Sequence, residues 1–415
     1  MTKLSIATAI VKQLQESGHL AYFAGGWVRD LVMQHPSDDI DIATSASVEE
    51  IQALFPKTIP IGISFGIVIV VDRGHQFEVA TFRKDRDYVD GRRPIGFDPA
   101  TPQEDALRRD FTINGMFYDP LSETIYDFTE GKTDIANKTI RAIGDPAARF
   151  QEDRLRMMRA VRYATRFNFT IDTKTREAIL DQAETLLPAV AMERIWQEFK
   201  KMAQFAHFDE GLAELQRLKL LPTIFPQLRG IPAADIEKRL APVEYFPKGT
   251  PPIAELLQLF PRNSLEEWLG LCDYLKLSRE DKEFAGKLHA CFSMLQMPED
   301  WQTNLEPIEW VRFYADERSH LYLKIFAAHL YVEEREEFYT THASREKALW
   351  RFIERLRRNL PILSSQDLLL AGISPGPIMG KLLKEAERLA ANFGIEDQEE
   401  LLRLLRNSSL WPLSD

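Results

Sequence analysis

A chain of 415 residues is too long for one ordinary domain and predicts roughly two to four. Hydrophobic residues make up 45% and charged residues 28%, the balance of a soluble globular protein, and no run approaches the roughly 18 apolar residues that span a membrane. With 52 Lys and Arg against 63 Asp and Glu, the net charge of -11 excludes a surface that binds polyanions indiscriminately, so any nucleic-acid binding falls to local basic clusters.

In chain order, residues 1–20 alternate polar and apolar side chains at helical spacing and lack the apolar core of a signal peptide. Residues from about 20 to 145 are rich in Gly, Asp and β-branched runs, which predict short strands separated by turns, with helices near 26–33, 47–55 and 103–115. From about 148 onward the pattern changes to long helical periods of Leu, Glu, Lys and Arg. Pro/Gly clusters at 222–232, 246–252 and 373–377 predict breaks between helical units. The expected class is α+β: a head with a small mixed sheet and helices, then an elongated all-α remainder. Two cysteines, Cys272 and Cys291, cannot build a disulfide framework, which makes a reducing cytoplasm the expected location.

Ala24-Gly25-Gly26-Trp27-Val28-Arg29-Asp30 reads as a strand that ends in Gly-Gly and opens a helix. Free backbone N–H groups at a helix start suit phosphate, and Arg29 one turn later can reach an anion. An ordinary strand–helix turn with an exposed Arg reads the same way. In Asp38-Asp39-Ile40-Asp41-Ile42, strand alternation sends Ile40 and Ile42 to the core and leaves Asp39 and Asp41 on one face, about 7 Å apart at Cα. Two carboxylates this close repel unless a cation lies between them, and Mg2+ favours one or two carboxylates with water and substrate phosphates. Two such ions serve an in-line displacement by activating a 3′-hydroxyl and stabilising the leaving pyrophosphate. A solvated strand edge is the alternative. Glu78, alternating with Phe77 and Val79, is the candidate third acid and reads equally as a surface residue on an edge strand.

The charged, Gly- and Pro-bearing stretch from Asp85 to Pro94 reads as a mobile loop, either a plain connection or a lid over a nucleotide. In Arg108-Arg109-Asp110-Phe111-Thr112-Ile113-Asn114 the guanidinium groups suit a triphosphate and the carboxylate a ribose hydroxyl. A salt bridge at a helix end explains the same residues. In Glu152-Asp153-Arg154-Leu155-Arg156 an ideal helix makes Asp153 and Arg156 i,i+3 neighbours, with Arg159 one step further. A carboxylate beside a guanidinium matches cytosine and adenine, whose Watson–Crick edges each pair an amino donor with a ring-nitrogen acceptor. Guanine and uracil reverse that order and are left with unpaired groups costing about 1–3 kcal/mol. The competing reading is a solvated ion pair worth only about 0.3–0.5 kcal/mol.

Taken together and in this order, Gly-Gly-x-Val-Arg-Asp, Asp-x-Asp-Ile-Ala-Thr, Arg-Arg-Asp-Phe-Thr-Ile-Asn and Glu-Asp-x-x-Arg closely resemble the class II tRNA nucleotidyltransferase and bacterial poly(A) polymerase family over roughly residues 20–200. The resemblance implies a nucleotidyltransferase head at 1–147, a neck with the nucleotide-selecting motif at 148–225, a body at 226–345 and a tail at 346–415. It implies that Asp39 and Asp41 hold Mg2+, with Glu78 as third acid. It implies that Gly25, Gly26, Arg29 and Arg109 bind the phosphates and sugar, with Asp110 near the ribose. Asp153 and Arg156 become an amino-acid template completed by Arg159 and Arg162; Arg162 is placed there by the resemblance alone, because an ideal helix turns it about 180° from Asp153. The partners implied are tRNA, CTP and ATP, with no membrane and no obligatory protein partner. Asn114-Gly115 stands where the family usually has Asn-Ala.

Within the family, members that add only CC have a shortened loop before Arg-Arg-Asp, whereas residues 85–101 look full length. Proteobacterial-type poly(A) polymerases carry Gly-Arg-Arg-Phe shortly after Asp-x-Asp, where this chain has Pro60-Ile61-Gly62-Ile63-Ser64-Phe65-Gly66. Both points favour CCA addition, with an A-adding enzyme or a poly(A) polymerase as the alternative. No His-Asp doublet occurs among the eight histidines, which argues against an appended phosphohydrolase domain. Basic residues on the helices, among them Arg154, Arg166, Lys200, Lys201, Arg351, Arg355, Arg357 and Arg358, are candidate phosphate contacts, although charged helix faces are usually just solvated. An antibiotic-modifying nucleotidyltransferase would share the acidic head without needing the Asp153–Arg156 motif or so long a helical remainder. A silent RNA-binding scaffold would keep the basic helices without needing the acidic pair.

Overall fold

The apolar spacing of the first residues folds as α1 (Lys3–Glu16), capped by the Thr2 side chain, which accepts from the Ser5 N–H. Its inner face, Ile6, Ile10, Val11 and Leu14, is buried against the sheet that follows. In the computed structural model, residues 2–35, 37–61, 65–86, 96–260, 264–296 and 305–412 are described. They form two compact units, one of Met1–Arg239 with Tyr274–Lys276 and one of Leu240–Asp273 with Leu277–Asp415.

The first unit continues with β1 (Ala21–Ala24), α2 (Gly26–Val32), β2 (Asp41–Thr44), α3 (Val48–Leu54), β3 (Thr58–Ile59), β4 (Ile67–Asp72) and β5 (His75–Thr81). After the short ribbon of β6 (Arg83–Asp85) and β7 (Phe97–Pro99) come α4 (Pro102–Leu107), β8 (Met116–Asp119) and β9 (Thr124–Asp127). The main sheet has seven strands in the order β3-β4-β5-β2-β1-β8-β9. Only β2 and β5 run parallel, with Ile42 opposite Val79; the other pairs are antiparallel, so the sheet is mixed. This pairing brings Gly25, just past the end of β1, Asp41, at the start of β2, and Glu78, midway along β5, beside one another.

The helix expected over 103–115 stops at Leu107. Phe111 is extended (φ -128°, ψ 149°), and Asp110 Oδ1 accepts from the Phe111 N–H and from Asn114 Nδ2, so the backbone turns into a single 3-10 turn at Thr112–Asn114. A side chain that satisfies nearby backbone donors competes directly with the helix ladder. Of the loop expected as a lid, Asp85 to Pro94, residues 87–94 lie outside the described residues, as do residues 62–64 of the segment that distinguishes poly(A) polymerases.

Helix α5 (Gly131–Ala136), the paired strands β10 (Thr139–Ile140) and β11 (Thr170–Ile171), α6 (Pro146–Glu152), α7 (Leu155–Phe167), α8 (Thr173–Gln182), α9 (Leu186–Ala189) and α10 (Met192–Met202) complete the part of this unit that bears on the site. The second unit is helical, with no strand among its described residues; its helices include Arg279–Leu295, Val332–Arg357 and Pro377–Phe393. The expected breaks appear as a 3-10 turn at Pro226–Leu228 and as helices opened by Pro252 and Pro377.

Candidate active site

The site residues expected from the sequence, Gly25, Gly26, Arg29, Asp39, Asp41, Glu78, Arg109, Asp110, Asp153, Arg156, Arg159 and Arg162, line one cleft of about 710 Å³ in the first unit; of the candidate phosphate contacts, Arg166 and Lys201 line it and Arg154 and Lys200 do not. Gly25 sits at the turn from β1 into α2 with φ 65°, a left-handed conformation that side chains resist. A Cβ there would also lie 2.9 Å from Arg109 Nη1, so conformation calls for glycine and any side chain would push the Arg109 guanidinium aside. Arg29, one turn into α2, is only 3% exposed. Its Nε and Nη2 donate to Asp30 Oδ1 at 2.8 and 2.7 Å, and its Nη1 donates to Asn114 Oδ1 at 2.7 Å. The sequence suggested an arm reaching for an anion; these three bonds make Arg29 a brace between α2 and the turn after Asp110.

The alternation around the acidic pair holds: Ile40 and Ile42 are buried, Asp41 is half-buried and Asp39 is exposed. The parallel register of Ile42 with Val79 brings Glu78 alongside Asp41. Burial, then Glu78 and Asp39, push the Asp41 carboxyl up to about 7, against the opposing pull of Arg109 and Lys3. Among the described residues no three acid, histidine or cysteine side chains close around one point as ready-made metal ligands. The acids instead form an open, mutually repelling set that would be relieved by positive charge.

Arg108 and Arg109 both bind Asp105, which is 1% exposed: Arg108 Nε donates to Oδ1 at 2.8 Å and Arg109 Nη2 to Oδ2 at 2.9 Å. Burial raises the Asp105 pKa, but the two guanidinium groups outweigh it and hold the carboxylate below its usual range. The Arg109 guanidinium also lies over the Phe117 ring, 5.0 Å from its centre. Asp110 is buried, and its Oδ2 accepts from Arg159 Nε at 2.7 Å. Burial alone would raise this carboxyl; Arg159 and the Asn114 amide hold it down at about 2. Asp110 thus ties the head to α7.

The second motif departs from the expected geometry. The chain leaves the helix at Asp153 (φ -147°, ψ 105°) between α6 and α7, so Asp153 and Arg156 are not i,i+3 neighbours on one helix. Asp153 Oδ1 accepts from the Leu155 N–H at 3.1 Å, which draws the residue out of helical register to satisfy the start of α7. Its cationic partner is Arg194 on α10, with Nη2 to Oδ2 at 2.8 Å and Nη1 to Oδ1 at 3.4 Å. Arg156 turns to Glu152 Oε2 at 2.5 Å and to the Arg149 and Arg108 carbonyls at 3.0 and 3.3 Å. Arg162 donates to Glu198 Oε2 at 2.6 Å, and both are buried. The pairing overturns the intrahelical ion pair; Asp153 and Arg156 still face the same cleft.

Sequence reasoning missed Arg194, Glu198 and Asp105. A signal existed for Glu198, which shares the face of α10 that buries Ile195, Phe199 and Met202, where a carboxylate requires a cation.

A mixed sheet whose neighbouring strands gather acids beside a Gly-Gly turn, with a basic helix closing the cleft, defines a nucleotidyltransferase. The Poly A polymerase head domain family matches residues 21–141, and the family described as the probable RNA and SrmB-binding site of polymerase A matches residues 168–231. The CCA-adding enzyme of Bacillus cereus (strain G9842) is 32% identical over 414 residues, 97% of this chain and 98% of that enzyme. The CCA-adding enzyme of Bacillus mycoides (strain KBAB4) is 43% identical over 221 residues; that alignment spans 53% of this chain and 55% of that enzyme, about half of each. The crystal structure of the Bacillus stearothermophilus CCA-adding enzyme in complex with CTP matches with a TM-score of 0.79 at 29% identity, over 98% of each chain. The chain belongs to the CCA-adding enzyme family.

Proposed function

We propose that this protein adds C and A to the 3′ end of tRNA from CTP and ATP, without a nucleic-acid template, and releases pyrophosphate. One observation carries the proposal: the strand acids Asp39, Asp41 and Glu78 and the Asp153 motif, distant in sequence, open onto the same cleft. Asp39 and Asp41 are the proposed metal ligands, with Glu78 as the third acid. The residues fit a divalent cation, Mg2+ in this proposal, because a charge of two between these carboxylates offsets the repulsion that raises Asp41. Bound there, the ion supplies positive charge to the attacking 3′-hydroxyl and the leaving pyrophosphate.

The protein's own groups do the rest. Gly25 and Gly26 keep the turn clear for phosphate, and Arg109, held by Asp105, faces it as a fixed cation. Arg29, Asp110 and Arg159 hold the ribose side of the cleft through the Asn114 network. Asp153 accepts the amino group that cytosine and adenine share. Three of its roughly four lone-pair sites are taken by Leu155 and Arg194 among the described residues, which leaves one on Oδ2. Arg156 donates to the ring nitrogen beside that amino group, and Arg162, anchored on Glu198, closes the pocket. The neck at 148–225 overlaps the matched RNA-binding family, and we assign the helical segments 226–345 and 346–415 to body and tail. No helix among the described residues is long and apolar enough to cross a membrane. Both cysteines are free and buried, which supports the proposed cytoplasmic location.

The test incubates the protein with tRNA lacking CCA, or ending in C or CC, and labelled CTP or ATP. Correct completion of all three supports the proposal, and no incorporation into any of them refutes it. ATP incorporation only after CC makes the protein an A-adding enzyme. Long A tails on unrelated RNA make it a poly(A) polymerase.

A further inference from the structure

One corner of the cleft carries positive charge that the nucleotide contacts leave without a task. Arg166 lies seven residues beyond Arg159 on α7, about 10 Å along the helix axis, and it lines the cleft with Lys201, Gln204 and Phe205. Its only carboxylate partner among the described residues is Asp30, at 3.4 Å, and Asp30 already accepts two shorter bonds from Arg29. Lys201 stands 3.9 Å from Glu198, which Arg162 holds at 2.6 Å. Four cations, Arg29, Arg162, Arg166 and Lys201, therefore share two carboxylates, Asp30 and Glu198, and two positive charges are left over.

The surplus is held in place rather than left to swing in water. The Arg166 guanidinium lies 4.7 Å from the Phe167 ring centre and 4.8 Å from that of Phe205, so the rings restrict its plane. Burial, then the neighbouring Arg29, depress its basicity, the signature of a cation short of counter-charge. A guanidinium fixed in this way is preorganised for two-pronged binding of a phosphate, and Lys201 adds a mobile point charge.

We propose that Arg166, with Lys201 and Gln204, forms a subsite for one backbone phosphate near the 3′ end of the RNA, separate from the contacts to the incoming nucleotide. The assignment rests on the polymerase reading above. It follows from position: the triphosphate belongs against Asp39, Asp41 and the Gly25 turn at the start of α2, whereas Arg166 reaches Asp30, a turn further into α2, and faces the cleft seven residues beyond Arg159 on α7. The RNA has to thread the same cleft to bring its terminal hydroxyl to the acids, and every step of its backbone carries one negative charge.

The experiment uses the full chain, tRNA lacking CCA, and a series of the same RNA with one methylphosphonate at each linkage near the 3′ end. For Arg166→Gln the expected result is a KM for RNA raised about tenfold, with kcat at saturating RNA and the KM for CTP unchanged. The slope of log affinity against log salt should fall by about 0.7, the share of one phosphate on a single strand. One methylphosphonate position should weaken wild type about tenfold and leave Arg166→Gln unaffected. Lys201→Ala, an exposed position unable to disturb the core, should change RNA affinity in the same direction by a smaller factor. A raised KM for CTP with RNA affinity intact would place Arg166 on the triphosphate and overturn the subsite. So would a methylphosphonate penalty that is identical in wild type and both variants. If wild type extends no RNA, the polymerase reading fails; if wild type extends RNA and the variants bind it like wild type, the subsite alone fails.

Discussion

Replacing Asp110 with Asn tests whether the join between head and neck is electrostatic. Asp110 is 9% exposed, and its carboxylate accepts from the Phe111 N–H, Asn114 Nδ2 and Arg159 Nε. The folded protein holds its pKa at about 2 against an ordinary 3.8. A depression of this size corresponds to roughly 2–3 kcal/mol of stability at pH 7. Asp110→Asn keeps the shape and one acceptor but leaves Arg159 without its carboxylate, so urea unfolding at pH 7 should show a loss of about 2–4 kcal/mol. The sign follows from the depressed pKa: the contribution is complete above the unfolded value near 4 and is lost as pH falls through about 2. By pH 3, roughly 1 kcal/mol of it should be gone in wild type, so the gap between wild type and Asp110→Asn should narrow on acidification. A gap below 0.5 kcal/mol at pH 7, or one that stays constant from pH 7 to 3, would refute the electrostatic account.

Asp39→Ala should abolish incorporation while tRNA binding by filter retention stays within about twofold, and EDTA should stop wild type until a divalent ion is restored; retained turnover in either case would remove the metal role. Asp153→Ala should blur the choice of C and A over G and U by about tenfold or more, and Arg194→Gln should do the same to a lesser degree because it only orients Asp153. Unchanged selectivity in single-nucleotide incorporation by both variants would deny the template. In the second unit, His342 is buried with Tyr314 Oη at 2.7 Å from its Nδ1, and burial, then Arg345, push its pKa down to about 4. A depressed histidine favours the neutral form in the fold, so stability should fall by about 3 kcal/mol as pH drops from 6.5 to 4 and then level off. His342→Gln should flatten that dependence in thermal melts; an equally steep profile would assign it to other groups.

Much of the head was legible because it obeys short periods. Ile40 and Ile42 are buried between Asp39 and Asp41 because strand side chains alternate, and that alternation is visible in seven letters of sequence. The capping boxes at Ser47 with Glu50 and at Thr101 with Glu104 place the starts of α3 and α4 for the same local reason. The helix predicted over 103–115 ends at Leu107, although Asp110 and Asn114 look helix-compatible in a window. Their side chains instead close a turn in which Asp110 also serves Arg159, a partner 49 residues away. That Arg29 braces Asn114, 85 residues on, is invisible in sequence, where it reads as an arm able to reach an anion or as an exposed Arg.

The Asp39-Ile40-Asp41 and Glu152–Arg156 motifs identify which residues carry the chemistry, and composition alone separates the mixed head from the helical remainder. Which side chains meet was decided by tertiary structure. The break in the helix at Asp153 removes it from Arg156, and the packing of α10 against α7 supplies Arg194, 41 residues away, and Glu198 for Arg162. Helical periodicity reports only neighbours three or four residues apart. A buried charge takes whichever partner the packed elements bring within about 3 Å, because leaving it unpaired costs several kcal/mol.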